Sequence, residues 1–227
     1  MSEPENITLA CPAGIDACPV TAEAARLREQ CDLLSERSQV DPLTGLFNFY
    51  YLMQALAMEM ERTRRTTMPT GLIMLDMDHF KSINDQYGHQ CGNEALRRTS
   101  RVLRTSIRLI DIPCRYGGEE FTLILPGTSL PQAVRTAERL RRTLEETPLC
   151  LNGNQVTLTG SFGVDVFKPG QVLTPDEFIE RADRYLLKAK GQGRNQVCYE
   201  ENVPATAPAG VSSAERAALF ITRWPKH

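Results

Sequence analysis

GLIMLDMDHF at residues 71–80 and CRYGGEEFTLILP at 114–126 decide the architecture. The first is a short, nearly continuous apolar run ending in acids. That is the pattern of a central strand with its functional end at Asp76. The second predicts two strands joined by a turn at Gly117-Gly118. Helices and strands otherwise alternate along the chain, and a hairpin among them excludes an all-parallel sheet. The expected fold is α+β, an α/β sandwich whose central mixed, mainly antiparallel sheet is flanked by helices.

The flanking text supplies those helices. In FNFYYLMQALAMEMERTRR, Phe49, Leu52, Leu56 and Met60 fall on one helical face. NEALRRTSRVLRTSIR turns Leu96, Leu103 and Ile107 inward, and Leu130 to Glu146 does the same with Ala133, Ala137, Leu140 and Leu144. VTLTGSFGVDVF alternates with Val156, Leu158, Gly160, Phe162, Val164 and Val166 on one side, which predicts a half-buried strand. Thr174-Pro-Asp-Glu177 is a capping box with proline at the first helical position, opening a helix that stops near Gly191. NQVCYE closes as a short strand, and HFKSIND after the acidic strand reads as a loop.

The chain has 227 residues, a formal charge of −2 and 41% hydrophobic residues, enough for one domain with extensions. That balance argues against a nucleic-acid binder relying on a broad basic face. No run reaches membrane-span length and MSEPENITLA is no signal peptide, so no membrane is expected. Seven scattered cysteines point to a reducing cytoplasm, and the spacing of Cys11 and Cys18 fits no common zinc signature. Three segments are expected: 1–40 as an N-terminal extension, 41–200 as the body, and 201–227 as a flexible Pro/Ala linker with a short tail ending near Trp224. Within the extension, Ala24, Leu27, Cys31, Leu34 and Ser38 form a short heptad stripe. It suits either a helix lying on its own domain or a stalk pairing two chains.

Chemistry concentrates on acids and glycines. Asp76 and Asp78 end the apolar strand, and Glu119-Glu120 sit in the hairpin turn. Two carboxylate-bearing loops side by side in one sheet suit magnesium, which takes oxygen ligands and shares its shell with phosphates. Asp76, at the end of the apolar strand, is expected to be the better ligand, and Asp78 a loop or capping residue. Gly117 and Gly118 leave space for a ligand or serve as turn residues. Lys81, and Lys190 with Arg194 in AKGQGRN, suit phosphate oxygens; the latter pair also suits a helix C-terminus electrostatically.

RYGGEEF at 115–121 resembles the signature of the GGDEF family. DPLTGLFN at 41–48, DMDHFKSINDQYGHQCGNEAL at 76–96 and ADRYLLKAKGQGRN at 182–195 resemble its other landmarks, in order and in register. The resemblance covers the whole body and implies a palm-like nucleotidyl-cyclase domain. It implies a diguanylate cyclase, which joins two GTP into cyclic di-GMP and releases two pyrophosphates. Asp76 and Glu119, with the carbonyl of Met77, would then hold two Mg²⁺ (Mn²⁺ being the alternative), with Glu120 a further acid beside them. Phosphates would meet the amides of His79 and Phe80 together with Lys81, Arg115, Lys190 and Arg194. Gly118 would give the nucleotide room, and Arg115 would pair with Asp41. Asn84 and Asn93 would contact guanine.

One such domain holds one GTP, so the resemblance also implies a homodimer, favouring the stalk, and an upstream sensor or regulatory protein. RLID at 108–111 resembles the family's RxxD inhibitory site, where Arg108 and Asp111 would bind cyclic di-GMP, with Arg139 as a second arginine; a surface ion pair is the plainer reading. Two departures stand out. Asn93 occupies a position where the family has an acid. The lost acceptor costs roughly 1–3 kcal/mol, which relaxes guanine preference and admits a mixed cyclic GMP-AMP product. Phe49-Tyr50 replace the usual arginines after LFN and read as packing changes. A catalytically silent module that binds GTP or cyclic di-GMP is the alternative to an active cyclase.

Overall fold

The computed structural model describes residues 39–151 and 153–200, together with Thr21, Glu23, Ala24, Arg26 and Leu27. Those five early residues are helical where described. The rest of the predicted stalk, Cys11, Cys18 and the segment 201–227 lie outside the described residues.

The chain runs α1 (Phe49–Thr66), β1 (Thr70–Met77), α2 (Phe80–Tyr87), α3 (His89–Ser106), β2 (Ile112–Gly117) and β3 (Glu120–Leu125). It continues with α4 (Leu130–Glu146), β4 (Leu149–Leu151), β5 (Asn154–Val156), β6 (Gly160–Phe167), α5 (Pro175–Gly191) and β7 (Val197–Cys198). Five strands form the main sheet in the order β2-β3-β1-β6-β7, and β4-β5 form a separate hairpin. β1 lies antiparallel to both β3 and β6, and only β7 joins in parallel. The mixed, mainly antiparallel sheet expected from the hairpin is the one observed.

Every residue of β1 is buried, which fits its apolar run and its place at the centre of the sheet. Helices cover both sheet faces, so the core falls into two clusters. One gathers Ile73, Leu75, Phe121 and Phe162 beneath α3 and α4. The other gathers Leu72, Met74, Phe167 and Phe178 beneath α1 and α5. Each such buried side chain stabilises the fold by roughly 1.5–3 kcal/mol.

Both faces of β6 are buried, which corrects the half-buried strand expected from its alternation. Gly163 explains how. A Cβ there would collide with the backbone of Ala182 and Leu186, so α5 packs directly on the strand. The predicted alternation also ends early. Val156 belongs to the β4-β5 hairpin, and 157–159 carry no regular structure.

Two helices match the sequence reading closely. α4 spans Leu130–Glu146 and α5 spans Pro175–Gly191, with the Thr174–Glu177 capping box formed. α3 begins at His89, four residues before the expected start at Asn93, which places Asn93 inside the helix rather than at its first position. On α1, Leu52, Leu56 and Met60 are buried, but Phe49 is 44% exposed and rests edge-on against Tyr116. The hairpin turn falls on Gly118-Glu119, one residue later than expected, because the β2-β3 register shifts between Arg115 and Gly117.

Candidate active site

The centre of the sheet delivers the acids. Asp76 lies opposite Glu120 across the β1-β3 ladder and opposite Ser161 across β1-β6. The Met77 amide donates to the Glu119 carbonyl at 3.3 Å, which fastens the strand end to the hairpin turn. Asp76, Glu119 and Glu120 are thus brought together, as their positions in the sequence suggested. Gly118 makes the turn with a φ of 48°, a conformation glycine adopts without strain, and a side chain there would meet no protein atom.

Lys190 completes this group from the last turn of α5. Its Nζ lies 2.7 Å from Asp76 Oδ2. Burial pushes the Asp76 carboxyl above its ordinary value. Lys190 pulls it back down, and the charges of Glu119 and Asp78 push it up further. Burial, then the charge of Asp76, raises Glu120 as well, with Lys190 opposing. These are carboxylates that gain from a cation nearby.

The donors are hard oxygens, the set that suits magnesium. Among the described residues no three His, Cys, Asp or Glu side chains converge into a metal shell of their own. Magnesium ordinarily takes one or two carboxylates with phosphate oxygens and water, so Asp76 and Glu119 fit it, and Lys190 already holds a positive charge on Asp76.

Asp78 turns elsewhere. It is 5% exposed, with Oδ1 accepting from Ser161 Oγ at 2.6 Å and Oδ2 from the Asn195 amide at 2.9 Å. β1 ends at Met77, so Asp78 has left the ladder, as expected of a loop residue, and its carboxylate is held by Ser161 and Asn195 rather than beside Asp76.

HFKSIND is helical rather than a loop, forming most of α2. Its eight residues are too few for a periodic signal, and it opens on His79 at a φ of 56° with no side-chain cap. First-turn amides of an uncapped helix can receive an anion, so His79, Phe80 and Lys81 stand where backbone donors are available. Asn84, on the same helix, lies over Gly92: a Cβ at Gly92 would strike its Oδ1, and Phe80 Cζ comes within 3.3 Å. Asn93 follows on α3, so the two expected base contacts sit on adjoining helices.

Arg115 needs a correction. Its guanidinium donates to Asp41 Oδ2 at 3.0 Å and to the Gly118 carbonyl at 3.1 and 2.8 Å. It braces the DPLTG turn and the hairpin, as its expected pairing with Asp41 implied, and is not directed at phosphate. Asp41 also accepts from the Thr44 amide at 2.8 Å.

On a different part of the domain the Arg108 amide donates to Asp111 Oδ2 at 2.8 Å, while Asp111 Oδ1 is buried without a partner among the described residues. Burial raises the Asp111 carboxyl, and the Arg108 amide, Arg108 charge and Arg139 charge lower it. Arg139 also donates to the Ser106 carbonyl at 2.8 Å. Beside them a surface pocket of about 450 Å³ is lined by Arg104, Arg108, Asp111 and Phe47.

A mixed five-stranded sheet flanked by helices thus presents carboxylates from a central strand end and an adjacent hairpin turn, next to a lysine and an uncapped helix. The family described as "Diguanylate cyclase, GGDEF domain" matches residues 38–196, and the chain belongs to it. The response regulator PleD of Caulobacter vibrioides is 39% identical over 173 residues, which are 75% of this chain and 38% of that protein. The diguanylate cyclase DgcP of Pseudomonas aeruginosa is 37% identical over 162 residues, 71% of this chain and 24% of that protein. The chain therefore spans well under half the length of these two relatives. Among solved structures, the coiled coil and GGDEF domain of DgcB from Caulobacter crescentus, in complex with c-di-GMP, superposes with a TM-score of 0.68 at 30% identity. The match covers 80% of this chain and 95% of that one. SiaD of Pseudomonas aeruginosa, in complex with its activator SiaC, gives a TM-score of 0.68 at 34% identity over 80% of this chain and 69% of that one. No described helix is long and apolar enough to cross a membrane.

Proposed function

We propose that this chain is a diguanylate cyclase, condensing two GTP into cyclic di-GMP with release of two pyrophosphates. The observation that carries the reading is Asp76 opposite Glu120 across the β1-β3 ladder, beside the turn that carries Glu119, with Lys190 Nζ 2.7 Å from Asp76. Family membership supports it.

In this reading Asp76 and Glu119, with the Met77 carbonyl, would hold two Mg²⁺ or Mn²⁺. When bound, the ions lower the pKa of the attacking 3′-hydroxyl and neutralise charge in an in-line displacement at the α-phosphate. The 3′-oxygen bonds to the α-phosphorus of the other GTP, that phosphorus releases pyrophosphate, and the hydroxyl proton leaves to a base. The chain's residues orient the reaction. First-turn amides of α2, with Lys81, Lys190 and Arg194, bind the triphosphate, and Asn84 and Asn93 hold the base. Asn93 offers an amide where an acid would accept both guanine donors, which makes relaxed base choice a built-in feature of this pocket.

Cyclisation needs two nucleotides face to face, so the working unit is a homodimer, with residues 21–40 as its stalk and the cytoplasm as its setting. The buried, unpartnered Asp111 Oδ1 beside Arg108 and Arg139 supports an inhibitory site for cyclic di-GMP. That SiaD binds an activator protein supports a regulatory partner here too. Incubating the purified chain with GTP and Mg²⁺ tests the reading. Cyclic di-GMP and pyrophosphate are expected. Nucleotide binding without either product would favour a silent signalling module.

A further inference from the structure

Three segments distant in sequence meet at Asp78. Its amide donates to the Thr159 carbonyl at 2.9 Å, ahead of β6. Its Oδ1 accepts from Ser161 Oγ at the start of β6, and its Oδ2 accepts from the Asn195 amide after α5. Both carboxylate oxygens are engaged, and the residue is 5% exposed.

The segment it holds has an unusual backbone. Arg194 and Asn195 both have positive φ, 64° and 43°, a region side-chain-bearing residues seldom occupy without outside support. That support is visible. The Arg194 amide donates to the Ala189 carbonyl at 3.0 Å, and Asp78 takes the Asn195 amide. The Asn195 side chain accepts from Arg141 at 3.1 Å and donates to Glu145 at 2.9 Å, tying the turn to α4. Of these anchors, Asp78 alone comes from the turn directly after the strand that carries Asp76.

We propose that Asp78 is a positioning residue that registers the Arg194 turn against the end of β1, so that the arginine meets a triphosphate lying against Asp76. The DMD sequence thus divides its labour. Asp76 faces the reacting nucleotide, and Asp78, just past the end of the strand, fixes the loop that grips it. This rests on the assignment of Arg194 to the triphosphate under the proposed function.

The test compares GTP binding and steady-state turnover of the full chain with Asp78→Ala, Asp78→Asn, Arg194→Ala and the Asp78→Ala/Arg194→Ala double variant. Thermal unfolding checks that each folds. Asp78→Ala and Arg194→Ala should each raise the KM for GTP about tenfold, with kcat changed less. The double variant should be no worse than either single change, because both act through one contact. Asn at 78 keeps both bonds, accepting from the Asn195 amide and donating to Ser161 Oγ, so Asp78→Asn should stay within about threefold of wild type. If Arg194→Ala leaves GTP affinity unchanged, the triphosphate assignment fails and takes this proposal with it. If Arg194→Ala weakens binding while Asp78→Ala does not, or if the two effects add, only the positioning role is overturned. Should Asp78→Ala fail to fold, Asp78→Asn decides: a loss as deep as that of Asp76→Asn would mean that Asp78 acts by its charge.

Discussion

Lys190 Nζ and Asp76 Oδ2, 114 positions apart in the chain, form an ion pair of 2.7 Å between the last turn of α5 and the end of the central strand. In this state Lys190 neutralises the carboxylate assigned to metal, and that carboxyl is otherwise raised by burial. In the proposed function Lys190 would compete with metal before nucleotide arrives and then transfer to phosphate, giving one residue opposite effects in two states.

Lys190→Met should therefore tighten Mn²⁺ binding to the nucleotide-free protein by about tenfold, the order of effect of removing one adjacent like charge. With GTP present it should lower turnover by about a hundredfold. Mn²⁺ titration followed by magnetic resonance, paired with a pyrophosphate assay, reads both. Weaker Mn²⁺ binding in both states would contradict the competition.

Arg108→Ala should leave the initial rate of GTP turnover near wild type and abolish slowing as cyclic di-GMP accumulates. Asp111 depends on Arg108 and Arg139 for its positive surroundings, and its Oδ1 has no partner among the described residues. Progress curves with added cyclic di-GMP make the measurement. Retained inhibition would leave RLID as a surface turn, with Leu109 and Ile110 simply exposed.

Asn93→Asp should raise kcat/KM for GTP about tenfold, the equivalent of one hydrogen bond regained. It should also suppress any adenine-containing product when ATP is supplied with GTP. Mass analysis of the cyclic dinucleotides resolves this. Cyclic di-GMP alone from the wild-type protein at every ATP ratio would show that Asn93 does not relax base choice.

Asp165 gives a pH effect remote from the metal-binding end. It is buried beside Arg181 at 2.9 Å, and burial raises its carboxyl even though the Val166 amide and Arg181 lower it. A carboxyl raised on folding contributes stability below its unfolded-state pKa and loses that contribution as pH rises through the folded value. Asp165→Asn does not titrate. Its melting temperature relative to wild type should therefore become more favourable between acidic and neutral pH, measured by thermal unfolding at fixed ionic strength. A difference that stays flat with pH would contradict the raised value.

Much of this molecule can be read from residue pattern. The apolar run before Asp76 predicted the central strand, and the Thr174–Glu177 box predicted the start of α5. What escaped has physical reasons. α2 is short and starts from an uncapped, left-handed His79, so neither periodicity nor a capping residue announces it. The full burial of β6 depends on Gly163 admitting α5, a tertiary contact that alternation does not encode. Motif spacing identified Arg115, Lys190 and Arg194 as cations. Only three dimensions show that Arg115 serves the Gly118 carbonyl while Lys190 reaches Asp76. The reading of Asp78 as a loop residue holds because β1 stops at Met77, one residue before it; strand alternation alone would put Asp76 and Asp78 on the same face. The partners of Asp78, more than eighty residues away, lay beyond any local signal.

The central claim is that the acids gathered at the end of β1 and the adjoining turn perform metal-dependent condensation of GTP. Its most direct test is pyrophosphate release and cyclic di-GMP formation by the purified chain with Mg²⁺, compared with Asp76→Asn and Glu119→Gln. Wild-type protein should form the product, and each variant should lose a thousandfold or more in rate, roughly 4 kcal/mol of transition-state stabilisation, while remaining folded. Turnover that persists in both variants would contradict the assignment.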